Sequence, residues 1–466
     1  MDLSRIKKIY MIGVKGVGMT MLAQYFRGQG IRVLGSDGEE KFMTDEVLRH
    51  SGVTVIEKFD KANIPSDADL IIYSSAYNPE NNEEVKAALA GSKKVLNYAE
   101  ALGAVFNQKY GIAVVGSHGK TTTTAWLGYV MDCAGLKPTV MVGARVNQFN
   151  GNTIVGASDY LVAEADEYQN KLKNYNPRAV LLNNIDYDHP DFFATREDYE
   201  KVFIDFIKKI PKKGFLIANF DDLIIEKIAR VNCLGRVISY GLKNQVADFM
   251  AYDLQFQNEK QYFKVKMDGD DLGDFNIQLS GEHNVYNALA VIAAGIELEI
   301  DLLDIRKYLA EFTGTARRMQ VLGEFNGAVI IDDYAHHPTE IKATLQGIRE
   351  KYGNKKIIAV FHPHTFTRTK ALLDDFAKSF NDADEVIVLD IYGSAREQQG
   401  GVHSQDLINQ LIINNEKLII KQEVKYIADL KECEEYLRKN IKGGEVVLLM
   451  GAGDVFRVGE RLIGSK

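Results

Sequence analysis

The chain has 466 residues, 46% of them hydrophobic and 26% charged, a globular composition that excludes a disordered chain and predicts two to four domains. Its net charge of −8 excludes a nucleic-acid-binding face, so any anionic ligand has to be held by local loops. Cys133, Cys233 and Cys433 lie far apart with no C-x-x-C pair, and no run of 18 apolar residues exists, so we expect reduced thiols in a cytoplasmic protein with no membrane partner.

The opening residues enter a strand-like segment without a signal-peptide core. Ile9–Ile12 predicts a buried strand, Gly13-Val-Lys-Gly16-Val-Gly18 a turn, Met19–Gly30 a helix, and Ile31–Leu34 a second strand that ends at Gly35-Ser36-Asp37. This is a βαβ unit with an acidic residue closing its second strand. The glycine order has low specificity and leaves a nicotinamide or flavin ligand open. Lys15, unusual inside a glycine turn, reads either as charge for a diphosphate or as a solvated side chain. Strands at 53–56 and 70–73 follow, the second ending in Ser74-Ser75-Ala76; small polar residues at such an end suit a ligand crevice. Helices at 83–89 and 98–106 flank a short strand at 94–96, and the first domain is expected to span residues 1–107.

The second domain, 108–313, opens with Ile112–Val115 running into Gly116-Ser117-His118-Gly119-Lys120-Thr121, with a helical pattern from Thr122. Strand, glycine-bounded loop and helix start make a phosphate site, because backbone N–H groups can approach the anion closely. Lys120 can reach the β/γ-phosphates of ATP, and the Thr121 hydroxyl can ligate Mg²⁺. The spacing departs from G-x-x-x-x-G-K-[ST], since Val114 stands at the first glycine position. Tyr160–Ala163 ends in Glu164-Ala-Asp-Glu167, and Ala179–Leu182 runs into Asn183-Asn-Ile-Asp-Tyr-Asp-His189. Two strand ends rich in oxygen donors beside a phosphate loop have the layout of a Mg²⁺ site. Residues 247–280 alternate and turn like hairpin sheet, and Ser280–Ala290 begins a helix with Asn284 and Asn287 near its start.

The third domain, 314–466, carries Arg317-Arg318 and then Val329–Ile331 leading into Asp332-Asp-Tyr-Ala-His-His-Pro-Thr-Glu340. That run is dense in groups that bind and transfer protons, and Pro338 fits the first turn of a helix capped near His337. Ile357–Phe361 delivers His362-Pro-His-Thr-Phe-Thr-Arg368-Thr369, and further strands are expected at 385–389 and 446–450. Repeated βα units predict another doubly wound α/β domain.

The compact G-S-H-G-K-T loop, E-A-D-E, N-I-x-x-D-H, G-x-H-N-x-x-N-A-L-A, D-D-Y-A-H-H-P-T-E and H-P-H-T-F-T-R-T resemble the motifs of the Mur ligases, the amide ligases of bacterial cell-wall synthesis. The likeness spans essentially the whole chain. It implies three α/β domains: an N-terminal Rossmann-like UDP-binding domain, a central P-loop-type ATPase with a small extra sheet, and a C-terminal Rossmann-like domain. The third-domain motifs are most similar to the branch that joins L-alanine to UDP-N-acetylmuramate through an acyl phosphate. The branch that recycles a tripeptide onto the same UDP-sugar, and a non-catalytic UDP-sugar or nucleotide regulator, remain as alternatives.

Carried over by residue, the resemblance places ATP at Gly116, Ser117, His118, Gly119, Lys120, Thr121, Thr122, Asn284, Arg318 and Asp333. It places Mg²⁺ at Thr121, Glu164 and His189. The UDP-sugar falls to Gly13, Gly16, Gly18, Met19, Asp37, Ser74 and Ser75, and the amino acid to Tyr334, His336 and Arg368. Lys120, Glu164, His189 and His336 are implied to be catalytic. Two departures stand out. Lys201 sits at the wrong spacing for the carbamylated lysine of several members, so no modified lysine is predicted; and Thr365 stands where some members have a second arginine, leaving Arg368 as the main carboxylate partner. Monomer and homodimer are both open.

Overall fold

Apolar strand segments alternate with helices along the chain, and each parallel strand sorts its side chains onto two faces. In Lys8–Ile12, Ile9 and Met11 enter one core while Tyr10 and Ile12 enter another; successive side chains of a strand point to opposite sides, and helices cover both. The computed structural model describes Leu3, residues 5–149, 151–393, Glu397 and residues 399–464.

The first sheet is all parallel and contains β1 (Lys8–Ile12), β2 (Arg32–Ser36), β3 (Thr54–Ile56), β4 (Leu70–Tyr73) and β5 (Lys94–Asn97), in the order β3-β2-β1-β4-β5. The order reverses between β1 and β4, which opens a crevice beyond their carboxyl ends. The helix Tyr98–Phe106 closes the unit with an Asn97–Glu100 capping box.

The second sheet has ten strands: β6 (Tyr110–Val115), β7 (Thr139–Val146), β8 (Gly151–Ile154), β9 (Tyr160–Glu164), β10 (Ala179–Leu182), β11 (Phe215–Asn219), β12 (Arg236–Gly241), β13 (Phe249–Gln257), β14 (Lys260–Met267) and β15 (Asp270–Ile277). Strand β6 lies between β9 and β10, parallel to both, so the loop after it faces the ends of its two neighbours. The expected hairpin sheet is β13–β15, joined edge-on to β12.

The third sheet runs β16-β17-β21-β18-β19-β20, from β16 (Gln320–Phe325), β17 (Ala328–Asp333), β18 (Ile357–Phe361), β19 (Glu385–Val388), β20 (Glu423–Tyr426) and β21 (Val446–Met450). All its pairs are parallel except β16 with β17. Because β21 inserts between β17 and β18, the two histidine-bearing loops leave from either side of one strand end. Among the described residues no helix is long and apolar enough to cross a membrane.

Candidate active site

The loop after β6 is stitched to the segment after β10. Ser117 N–H donates to Asn184 O at 3.2 Å, His118 N–H to Asn184 Oδ1 at 2.8 Å, and Ser117 Oγ to Asp186 O at 2.6 Å. Gly119 adopts φ 78°, and a Cβ there would lie 2.5 Å from Asn287 Oδ1, so the position requires glycine both for its conformation and for its fit against the helix Glu282–Glu297. The next helix spans Lys120–Cys133, two residues earlier than expected. Lys120 Nζ folds back onto Gly116 O, onto Ser117 O at 3.1 Å and onto Glu167 Oε2 at 2.9 Å. Burial opposes its charge, but Glu167, Asp166 and Glu164 outweigh burial and hold the ammonium above its usual range.

Two groupings of donors face this lysine. Thr121 Oγ1 lies 3.0 Å from both oxygens of Glu164, which also accepts Gly143 N–H at 2.9 Å. His189, at φ 58°, stacks on Tyr168 with ring centroids 4.5 Å apart. Asp166, Glu167 and His189 bring one ligand atom each to within 4.8 Å of one another. Thr121 with Glu164, and His189 with Asp166 and Glu167, are therefore separate pairings that meet around Lys120. The donor set is mostly oxygen, which fits a hard cation such as Mg²⁺. Lys201 lies on an exposed helix face, 3.3 Å from Asp205.

The third domain closes over the loop. Arg317 is committed to its own domain through Asp332 at 3.0 Å and Gly451 O at 2.7 Å. Arg318 instead faces a cleft of about 790 Å³, which is also lined by His118, Gly119, Thr122, Asn284 and Asp333. Asp333 accepts the N–H groups of Met319 and Ala335, each at 2.7 Å; burial outweighs these bonds and Arg318 and lifts its carboxyl to about 6. His118 Nδ1 lies 3.2 Å from Glu340 and Nε2 3.2 Å from Asp186. Burial opposes its charge, and the two carboxylates reverse that and raise it to about 9. His336 is pushed down to about 3, chiefly by burial. Its Nδ1 lies 2.9 Å from Tyr334 O, so that nitrogen carries the proton and Nε2 the lone pair.

Arg368 sits in the helix Phe366–Ala371, and its fork is occupied. Nε meets Asp188 Oδ1 at 2.8 Å and Nη2 meets Oδ2 at 3.2 Å. Nη1 reaches only His364 O at 3.4 Å. The arginine expected to be the main carboxylate partner is thus already paired within the protein, and a substrate carboxylate has to share or displace Asp188.

In the first domain Gly13, at φ 78°, passes so close to Tyr77 and Ser74 that a Cβ would lie 2.7 and 2.8 Å from them. Gly16 precedes the helix Val17–Gly28, within which Gly18 and the buried Met19 fall; that helix start points at the crevice, where Ser74 and Ser75 leave β4. Asp37 accepts Lys15 N–H at 2.7 Å and Gly38 N–H at 2.8 Å. Both readings of Lys15 are corrected. It is only 1% exposed and spans to Gly38 O, Glu40 O and Glu57 Oε1, each at 2.9 Å. The lysine anchors the loop after β2 and is neither solvated nor turned to the crevice.

Three family models cover the chain in turn: Mur ligase family, catalytic domain, over residues 8–110; Mur ligase middle domain, over 114–295; and Mur ligase, glutamate ligase domain, over 317–453. The chain belongs to the Mur ligase family. A UDP-N-acetylmuramate–L-alanine ligase of Alkaliphilus metalliredigens is 40% identical, with 100% of this chain and 99% of the relative covered. One from Desulfitobacterium hafniense is 39% identical over 98% and 99%. Among solved structures, a UDP-N-acetylmuramate-alanine ligase of Thermotoga maritima aligns at TM-score 0.80 and 25% identity, covering 98% of each chain. A murein peptide ligase of Psychrobacter arcticus shares the fold at TM-score 0.73 and 23% identity.

In this Mur ligase the motif residues converge from the middle and third domains, while the glycine crevice lies in the first. Glu167, Asp188 and Glu340 were passed over as site residues although each stands inside a quoted motif. Glu167 is buried against Lys120, Asp188 holds Arg368, and Glu340 joins His118, His336 and Arg318. Their signal was the density of carboxylates in those motifs; what each one touches depends on the packing of separate strands.

Proposed function

We propose that this Mur ligase joins L-alanine to UDP-N-acetylmuramate with ATP, in the cytoplasm. The observation that carries the reading is the correspondence, over the whole length of the chain, with ligases of that name. A carboxylate is a poor acyl donor because its leaving group is oxide-like. Its oxygen attacks the γ-phosphorus, ADP leaves, and the resulting acyl phosphate is attacked at carbon by the free amine as phosphate departs. The loop Gly116–Thr121 cradles the triphosphate with backbone N–H groups, and Lys120 exchanges its carbonyl and Glu167 contacts for phosphate oxygens. Thr121 and Glu164 from one pairing and His189 from the other, with Glu167 beside it, would hold Mg²⁺, which would offset charge on the transferring group. Arg318 approaches from the third domain with a guanidinium suited to the same charge. Thr122, Asn284 and Asp333 line the nucleotide cleft.

The diphosphate rests at Gly13, Gly16 and Gly18, on the helix start beside Met19, with Ser74 and Ser75 across the crevice and Asp37 shaping its floor. Tyr334, His336 and Arg368 face the incoming amino acid. His336 stays neutral, and its Nε2 lone pair can accept a hydrogen bond from the amine and so orient it. A nitrogen held at about 3 is too weak a base to take the ammonium proton, which leaves before the amine attacks. Closure of the third domain over the cleft keeps water from the acyl phosphate. The test is phosphate release with ATP and UDP-N-acetylmuramate, comparing alanine, glycine, serine and the stem tripeptide. Turnover with alanine is expected; turnover with the tripeptide alone would place the chain in the recycling branch, and none with any acceptor would end the ligase reading.

A further inference from the structure

A second group of metal-ligating side chains lies across the join between the middle and third domains. His118 comes from the phosphate loop, Asp186 from the segment after β10, and His337 from the start of the helix Pro338–Tyr352. Asp186 Oδ2 is 3.2 Å from His118 Nε2 and 3.5 Å from His337 Nδ1, and the three ligand atoms all fall within 4.8 Å of one another. A tetrahedral ion with bonds of about 2.0–2.1 Å sets its ligand atoms roughly 3.3–3.4 Å apart, so two of the three edges already have the required length.

The outer side of each ligand is also built. His118 Nδ1 lies 3.2 Å from Glu340 Oε1, and His337 Nε2 lies 3.3 Å from Tyr187 O. Proton donation at those nitrogens leaves a lone pair on His118 Nε2 facing Asp186 and one on His337 Nδ1. The second now accepts Thr339 N–H at 3.4 Å, a long cap contact that a bound ion would displace, while a carboxylate or carbonyl on the far nitrogen orients each imidazole. The Thr339 hydroxyl donates to Asp186 Oδ2 and fixes the carboxylate. His118 and Asp186 line the cleft, which gives an entry path and room for a water as fourth ligand. None of the three residues belongs to the grouping of Asp166, Glu167 and His189. Two imidazoles with one carboxylate suit zinc-class ions and not Mg²⁺, which prefers oxygen.

We propose that His118, Asp186 and His337 form a binding site for a zinc-class cation that clamps the phosphate loop to the third domain. The ion takes the place of the proton on His118 Nε2. Since His118 is two residues from Lys120 in the same loop, the clamp holds the domains together and slows turnover.

The test titrates the full chain with Zn²⁺, and with Co²⁺ as a spectroscopic probe, in saturating Mg²⁺ to fill the oxygen-rich grouping. One four-coordinate Co²⁺ spectrum per chain is expected, displaced by Zn²⁺. His337→Asn keeps a good helix N-cap and is expected to weaken Zn²⁺ binding by more than about 10-fold, with a matching loss of zinc inhibition. Asp186→Asn, which keeps the Thr339 contact, is expected to do the same and serves if the first variant melts early. His189→Ala is expected to keep the spectrum. A parent chain that binds no Zn²⁺, unchanged binding in both His337→Asn and Asp186→Asn, or loss of the spectrum in His189→Ala would each overturn the site. The binding arms need no substrate, so they stand apart from the ligase assay.

Discussion

Arg368 shows how a residue's surroundings alter what its substitution tests. Both it and Asp188 are nearly closed to solvent, with side-chain exposures of 4% and 6%. Burial lowers the charge preference of each, and the partner reverses it, holding the Asp188 carboxyl well below its usual range. Arg368→Ala strands a buried carboxylate and is expected to cost about 3–5 kcal/mol, beyond any rise in KM for the amino acid. Adding Asp188→Ala should return part of that loss, with a coupling of about 1–3 kcal/mol. Denaturant unfolding of the two single variants and the double variant measures it; strict additivity would mean that the pair does not form. Lys120→Ala is expected to abolish phosphate release. Because it also strips Glu167 of its ammonium partner, the melting temperature should fall, though the chain stays folded by circular dichroism.

At the scale of elements, loops are fixed by what they lean on. Gly119 ends one turn and begins a helix while touching Asn287. Gly119→Ala adds a left-handed strain of about 1–2 kcal/mol and pushes the loop off its helix. A displacement of an ångström in a catalytic loop can cost about 100-fold in rate, so kcat should drop by that order with little change in melting temperature. Equal turnover in parent and variant would show that the loop tolerates the methyl group. Lys15 performs the same service for the loop after β2. Lys15→Ala leaves two carbonyls and Glu57 without their donor, an expected loss of about 1–3 kcal/mol. Calorimetry should show weaker UDP-sugar binding with ATP binding intact.

Over the whole molecule, the middle and third domains meet through titratable groups, and stability should follow pH accordingly. Burial alone would lower His118, but Asp186 and Glu340 raise it from 6.5 to about 9. A raised histidine contributes fully below 6.5, and the contribution is lost as pH rises through 9. His283 and His364 are pushed down to about 4, mainly by burial. They are neutral when folded, so their contribution is whole above 6.5 and is lost as pH falls toward 4. Unfolding free energy should therefore peak near pH 6.5. His118→Gln should lower the peak and flatten the alkaline side, measured by urea unfolding across pH 6–9.5. An alkaline slope identical to that of the parent would assign the loss to other groups.

The sequence by itself determined the strand ends that carry chemistry and several element limits. The helix Tyr98–Phe106 begins and ends where its pattern predicts, and Ile112–Val115 leads into the phosphate loop as expected. Apolar runs closed by glycine, and proline at a helix start, are local signals that short-range sterics enforce. Strands β7, β8, β11 and β12 were not foreseen, since short apolar runs in a covered sheet have no period that separates strand from helix, and neither were β16 and β20, the part-exposed edge strands of the third sheet. Only the tertiary structure decided which charges meet. Asp188 and Arg368 stand 180 residues apart, and Lys15 reaches Glu57 across two strands of the first sheet. Burial and pairing of charge depend on which strands become neighbours, and sheet order is a property of the closed chain that no local pattern carries.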